Sequence, residues 1–153
     1  FVELHRSYEH LVLKHEYPVG RHHLLVMPKG TFYDLRQLRK RQATLLRKLQ
    51  GQGVACLRAL MEVPEGKPDP EMVCGFSYPA DYNHLHLHLV VPPFTNLEIF
   101  RRQVFYPLDE VEAAITGRAG MVRVHPVLDI EAEEAQHAKV EEMDLRSRRL
   151  TLV

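Results

Sequence analysis

The sequence predicts an α+β domain: an antiparallel sheet of about five strands, one long helix, and a short C-terminal helix. Three observations predict it. Two short apolar runs near the start of the chain are joined by a Pro-Gly turn signal, a longer stretch repeats apolar positions at intervals of three and four, and a later segment alternates histidine with leucine at period two.

The elements follow in chain order. Leu11, Val12 and Leu13 lead to Tyr17-Pro18-Val19-Gly20, and His23 to Met27 form a second apolar run that ends at Pro28, so two strands joined by a turn are expected. From Tyr33 onward, Leu35, Leu38, Gln42, Leu45, Leu46, Leu49, Gly53, Cys56, Leu57 and Leu60 fall on one helical face. This predicts one long amphipathic helix, capped by Thr31 or Asp34. Gly51 and Gly53 weaken it by about 1 kcal/mol each relative to Ala and mark the place for a kink.

Pro64, Gly66, Pro68 and Pro70 then break the chain. Met72 to Phe76 read as a third strand, Pro79 and Asp81 as a loop, and His84 to Val91 as a fourth strand closed by Pro92-Pro93 and antiparallel to the third. Asp109 is expected to cap a short helix reaching Ile115. Ile130 to Met143 form an acidic, helix-prone segment with little apolar periodicity, which reads as peripheral, and Leu150, Leu152 and Val153 as a last edge strand after the basic residues Arg146, Arg148 and Arg149.

A chain of 153 residues with 45% apolar content is expected to form a single domain over 1–153, with a core at about 8–100 and an extension at about 101–153. Lys plus Arg equals Asp plus Glu at 20 each, so net charge gives no field for holding a nucleic-acid backbone, though a local basic patch remains open. Arg39, Lys40 and Arg41 are such a run and read as a solvated face. Cys56 and Cys74 lack metal or framework spacing, which fits reduced thiols inside a cell, in the cytoplasm or nucleus. No apolar run reaches the roughly 18 to 20 residues of a membrane span, and no signal-like leader opens the sequence.

Chemistry concentrates in residues 83–91, Asn-His-Leu-His-Leu-His-Leu-Val-Val. Side chains on a strand alternate between faces, so His84, His86 and His88 share one face while Leu85, Leu87 and Leu89 anchor the other in the core. Ten histidines in 153 positions predict only about 0.04 such triplets by chance. Neutral imidazole is both a nucleophile and a proton carrier near neutral pH. His86, flanked on both sides, is therefore the candidate nucleophile toward phosphorus, with its other ring nitrogen donating to a group such as a backbone carbonyl. His88 is the candidate for gripping phosphate oxygens. The rival chemistry is zinc, which alternate strand histidines also bind. Cα atoms about 13 Å apart at the ends of the trio strain convergence on one ion with bonds of about 2.0 to 2.1 Å.

The alternating trio resembles the signature of the histidine triad hydrolases, and Tyr17-Pro18-Val19-Gly20-Arg21-His22-His23-Leu24-Leu25-Val26-Met27-Pro28-Lys29 resembles that family's entry strands and its turn into the long helix. The resemblance covers about residues 8–100. Gly75-Phe76-Ser77-Tyr78-Pro79 and Arg149-Leu150-Thr151-Leu152 are similar to the branch that holds the scavenger decapping C-terminal domains and aprataxin, although the sequence has no Trp and no zinc-finger spacing after residue 100. The resemblance implies hydrolysis of a nucleotide or nucleotide conjugate at the α-phosphate through a covalent intermediate on His86, without cofactor or metal, in a two-fold homodimer. The transferase branch carries glutamine at the third triad position, where this chain has His88, so hydrolysis is implied over transfer. It further implies nucleotide-binding positions at His23, where a core histidine is the competing role, at Asp81 and Asn83, where a turn role competes, and at His15, where relatives present an acidic or amide group to the ribose. Two other classes stay open at this point: a nucleotide-binding or sensor module with little turnover, and a zinc-binding protein.

Overall fold

The computed structural model describes residues 1–80, 82, 84–124 and 129–152. Six strands form one sheet, β1 (Val2–Arg6), β2 (His10–Lys14), β3 (Gly20–Pro28), β4 (Val73–Ser77), β5 (Leu87–Phe94) and β6 (Phe105–Pro107), in the order β1-β2-β3-β5-β4-β6. Every neighbouring pair is antiparallel. Among the described residues three α-helices complete the fold, α1 (Ala43–Leu60), α2 (Leu108–Thr116) and α3 (Ile130–Leu152). The α+β class is as the sequence predicts, with one strand more than the expected five.

The strands β2 to β5 arise where apolar runs meet turn signals. Val12, Leu24, Val26, Leu87 and Leu89 are fully buried and point to one face of the sheet, where α1 lays Leu46, Leu49 and Leu57 against them. Complete burial of each such side chain is worth roughly 1.5 to 3 kcal/mol, so this face fixes the register. Gly53 sits at the closest approach. A Cβ there would come within 2.8 Å of both Leu89 and Val26, so the glycine lets α1 lie flat on the sheet and the helix runs through it.

The long helix begins later than its periodicity predicts. Leu35–Gln37 and Lys40–Gln42 form single turns of 3-10 helix, and Leu38 between them is extended. A three-residue spacing satisfies such turns as well as an α-helix, and Leu35 and Leu38 reach the core all the same. Asp34 caps the first turn, its carboxylate accepting from the Arg36 backbone N–H at 2.8 Å. Arg39 and Lys40 therefore lie on the turns ahead of α1, and Arg39 donates to the carbonyls of Arg36 and Leu38.

Pro92-Pro93 does not close β5, which continues to Phe94. Pairing with β4 ends at Val90, and the two prolines occupy the irregularity between the His22–Val91 and Gly20–Phe94 pairs, where their missing N–H groups interrupt no ladder. On that open side α3 replaces a strand. Asp144 accepts from the Phe94 N–H at 2.7 Å, and Arg148, paired with Asp144 at 3.0 Å, donates to the Phe94 carbonyl at 2.9 Å.

The C-terminal region is thus neither peripheral nor ended by a strand. Leu150 and Leu152 lie in α3, which runs on past Met143 for a total of 23 residues, while Val153 lies outside the described residues. Arg146 and Arg148 pair with Glu142 and Asp144 at helical spacing, which extends the helix through the basic run. Val140 and Met143 pack with Val73, Val90, Phe94, Phe100 and Phe105 on the sheet face opposite α1. The short helix before it starts at Leu108, so Asp109 lies in its first turn and Pro107 precedes it. No described helix is long and apolar enough to cross a membrane.

Candidate active site

The site lies on the sheet face away from α1, at the N-terminal end of β5, where it pairs with the C-terminal half of β3. Leu85, Leu87 and Leu89 are buried in the α1-side core, which turns His86 and His88 to the opposite face. The regular strand begins only at Leu87, so His84 and His86 belong to its lead-in segment. His86 and His88 remain 3% and 7% exposed, with their rings 4.9 Å apart and edge to face.

Hydrogen bonding assigns the tautomer of each ring. A carbonyl can only accept, so His86 Nδ1, 2.7 Å from the His84 carbonyl, carries its proton and leaves Nε2 as the basic nitrogen of the neutral ring. His84 Nε2 likewise donates to the Pro28 carbonyl at 2.7 Å. The imidazole of His84 is thereby tied to the end of β3, and its link to His86 runs through its main chain.

His23 joins the group through register. It pairs with Val90, so His88 sits diagonally across from it on the same face, and His23 Nε2 lies 2.9 Å from His88 Nδ1. The Val19 backbone N–H donates to His23 Nδ1 at 3.3 Å. That leaves His23 Nε2 as the donor to His88 Nδ1 and puts the His88 proton on Nε2, 3.5 Å from Ser77 Oγ. One polarity thus runs from the turn amide through two rings and ends in an N–H at the site.

Burial, helped by the neighbouring rings of His15 and His86, lowers the pKa of His23 to about 3. Burial also holds His88 well below its ordinary value, with His86, His23 and His15 adding to the effect. Both rings are neutral at physiological pH, which the relay requires. His15 stacks on His23 with centroids 4.2 Å apart and planes at 22°, and its Nδ1 accepts from the Tyr17 N–H at 2.9 Å.

The rings of His15, His23 and His88 line a cleft of about 460 Å³, with His86 edge-on to His88 beside it. Val90 lies beside His23 and His88 on the sheet, and the apolar wall of the cleft is made by Ile99, Phe100, Val104 and Phe105. Tyr82 lies at its mouth, edge-on to His86 at 5.4 Å and to Phe1 at 5.5 Å. The structure therefore brings His15, His23, His86 and His88 together, with His84 attached through its carbonyl. Asp81 and Asn83 lie outside the described residues. The Val19 amide and the apolar wall escaped sequence reasoning: a backbone donor leaves no side-chain signal, and Ile99 to Phe105 fall in a stretch without strand or helix period. Ser77 stood out only within the family-like segment before the triad.

Among the described residues no three His, Cys, Asp or Glu side chains are arranged to hold a metal ion. His23 and His88 spend their facing nitrogens on each other. A separate cavity of about 280 Å³, lined by Met72, Cys74, Leu108, Lys139 and Met143, contains no histidine. Burial, with Asp109 nearby, pushes the Cys74 thiol up to about 12, which rules out a thiolate nucleophile there near neutral pH.

One antiparallel sheet thus carries the imidazoles on the face away from α1, with protons on His86 Nδ1 and His88 Nε2. The chain belongs to the family described as scavenger mRNA decapping enzyme C-term binding, whose model matches residues 2–103, and with it to the histidine triad proteins. No curated protein matches it by sequence. Among solved structures it is similar to one titled Hnt3, at 14% identity over 92% of this chain and 88% of that one, with a TM-score of 0.54. It is also similar to the aprataxin ortholog Hnt3 in complex with DNA, at 15% identity over 92% and 87% of the two chains and a TM-score of 0.51. A HIT family hydrolase from Legionella pneumophila Philadelphia 1 aligns at 18% identity over 62% and 84%, with a TM-score of 0.49. At these identities the likeness is one of fold.

Proposed function

We propose that this chain hydrolyses a nucleotide or nucleotide conjugate at its α-phosphate through a covalent nucleotidyl intermediate on His86. One observation carries the reading: the His84 carbonyl fixes the proton of His86 on Nδ1, so Nε2 is the basic nitrogen, beside an N–H of His88 fixed by His23. In the first step Nε2 forms a bond to phosphorus and the bond to the leaving group breaks, the leaving group departing with the electron pair and taking a proton from solvent. The ring becomes a phosphoimidazolium whose Nδ1 proton points at the His84 carbonyl, which stabilises the new positive charge. His88 Nε2–H donates to a phosphate oxygen in both steps. The oxygen of a water then bonds to phosphorus and gives up a proton to solvent, while the P–N bond breaks with its electron pair returning to Nε2, which restores neutral His86.

Family membership supports phosphorus chemistry at this site, and the DNA-bound relative extends the substrate class to nucleic-acid conjugates. His86→Ala is expected to lower covalent labelling by a nucleotidyl donor on the order of a thousandfold or more while leaving the thermal melt unchanged. Labelling at the wild-type rate in that variant would rule out His86 as the nucleophile. Comparing single-turnover with steady-state rates separates an enzyme from a binding module that makes the intermediate and releases it slowly.

A further inference from the structure

The apolar wall of the cleft is held from two sides: β4 anchors it where the Tyr78 N–H donates to the Val104 carbonyl at 2.9 Å and Ser77 pairs with Phe105, and α3 holds it from the other side. Ile99, Phe100 and Val104 lie in the segment between β5 and β6, whose regular element is one 3-10 turn over Glu98–Phe100, and Phe105 opens the short β6. Three bonds from α3 hold that segment in place. Glu133, 9% exposed, accepts from the Arg102 backbone N–H at 2.9 Å and from the Arg101 guanidinium at 3.1 Å, and the Gln136 side-chain amide donates to the Phe100 carbonyl. One turn further on, Val140 and Met143 pack with Phe94, Phe100 and Phe105, whose rings meet at 4.9 and 5.4 Å. Phe100 and Phe105 therefore carry the helix contact on one side and line the cleft on the other. The helix begins at Ile130, well beyond the family match, which ends at residue 103.

We infer that α3, through Glu133 and Gln136, is the positioning element that shapes the substrate's ring-binding wall, and that this wall takes a flat, uncharged heteroaromatic ring, a nucleobase, beside the reacting phosphate. The inference rests on the function proposed above. The chemistry of the wall supports it. Its four residues are apolar, two of them aromatic, and the imidazoles opposite are neutral, so the cleft suits a stacked, uncharged ring next to an anion held by N–H donors. Neither Glu133 nor Gln136 lines this cleft, so each acts through the backbone of the wall.

The test compares adenosine phosphoramidate with ribose phosphoramidate, which lacks the base, on the wild type, Glu133→Ala, Gln136→Ala and Glu133→Gln. The alanine variants are expected to raise KM for the adenosine substrate on the order of tenfold with kcat within about twofold, and to leave the base-free substrate unaffected. Glu133→Gln keeps an oxygen for the Arg102 amide and is expected to recover most of the loss. Equal effects on both substrates, a fall in kcat at constant KM, or no effect would overturn the assignment; a lowered melting temperature with unchanged KM would reduce α3 to a structural prop. Titration calorimetry with AMP reads the same wall without turnover. A wild type that binds AMP but forms no intermediate would refute the catalytic reading and leave the wall to be judged by the variants' affinity, whereas a wild type that binds no AMP refutes the wall itself.

Discussion

A single backbone amide decides what His88 can do. The Val19 N–H holds His23 Nδ1 as an acceptor, so His23 Nε2 must donate to His88, and His88 must present a proton rather than a lone pair at Nε2. Reversing that polarity would turn a phosphate donor into an acceptor facing an anion. The consequence is checkable with two substitutions at one position. The amide nitrogen of a glutamine occupies nearly the place of histidine Nε2, so His23→Gln can still donate to His88, whereas His23→Leu fills the space without a donor. His23→Leu is expected to slow covalent labelling of His86 tenfold or more, the scale on which partners that fix a tautomer act, and His23→Gln to stay within a fewfold of wild type. Equal loss in both would show that the ring, not its proton, matters. The sequence marks His23 as a candidate but leaves it undivided between core and site, because the deciding bond comes from a main-chain amide four residues earlier.

At the scale of elements, two glycines two residues apart have opposite roles. Both interrupt the same helical pattern, and composition alone makes them equivalent. A Cβ at Gly51 would meet nothing within 4 Å, whereas one at Gly53 would press on Leu89 and on the stiff, β-branched Val26. Gly51→Ala is therefore expected to stabilise the fold by about 0.5 to 1 kcal/mol, through helix propensity and a less flexible unfolded chain, while Gly53→Ala gives no gain or a loss as α1 lifts from the sheet. Urea melts of the two variants check this, and equal gains would mean that the helix does not rest where the structure puts it. The same comparison explains what was legible. Elements with a one-sided apolar period, β2 to β5 and most of α1, could be read directly. The helix α3 could be read as helix-prone but not as buried, because the stripe it turns inward mixes Glu133, Gln136 and Asp144 with Val140 and Met143. Edge strands β1 and β6 were missed for a related reason: β1 is largely exposed, with histidine and charge among its five residues, and β6 has only three.

For the molecule as a whole, gathering neutral histidines on one sheet face ties stability to pH. His23 titrates near 3 in the fold against an ordinary value of 6.5, and His88 is also held well below 6.5, each chiefly because burial penalises the charged ring. Above about pH 6.5 folded and unfolded chains are both neutral at these positions, and stability does not depend on them. As pH falls below that value the unfolded chain takes up protons that the fold refuses, so stability drops continuously toward pH 3, by up to about 1.4 kcal/mol per pH unit for each ring that stays neutral. Acid is therefore expected to destabilise this protein progressively from about pH 6.5 downward. Urea melts at about pH 7.5, 6 and 5 measure the slope, and His23→Gln separates its sources. Glutamine keeps the donor to His88 but has no proton to gain, so the slope for that variant should be shallower than the wild-type one between about pH 6.5 and 5, with His88 and the similarly lowered His22 supplying what remains. Superimposable slopes would mean that His23 does not stay neutral in the fold, and the polarity that orients His88 would lose its physical basis.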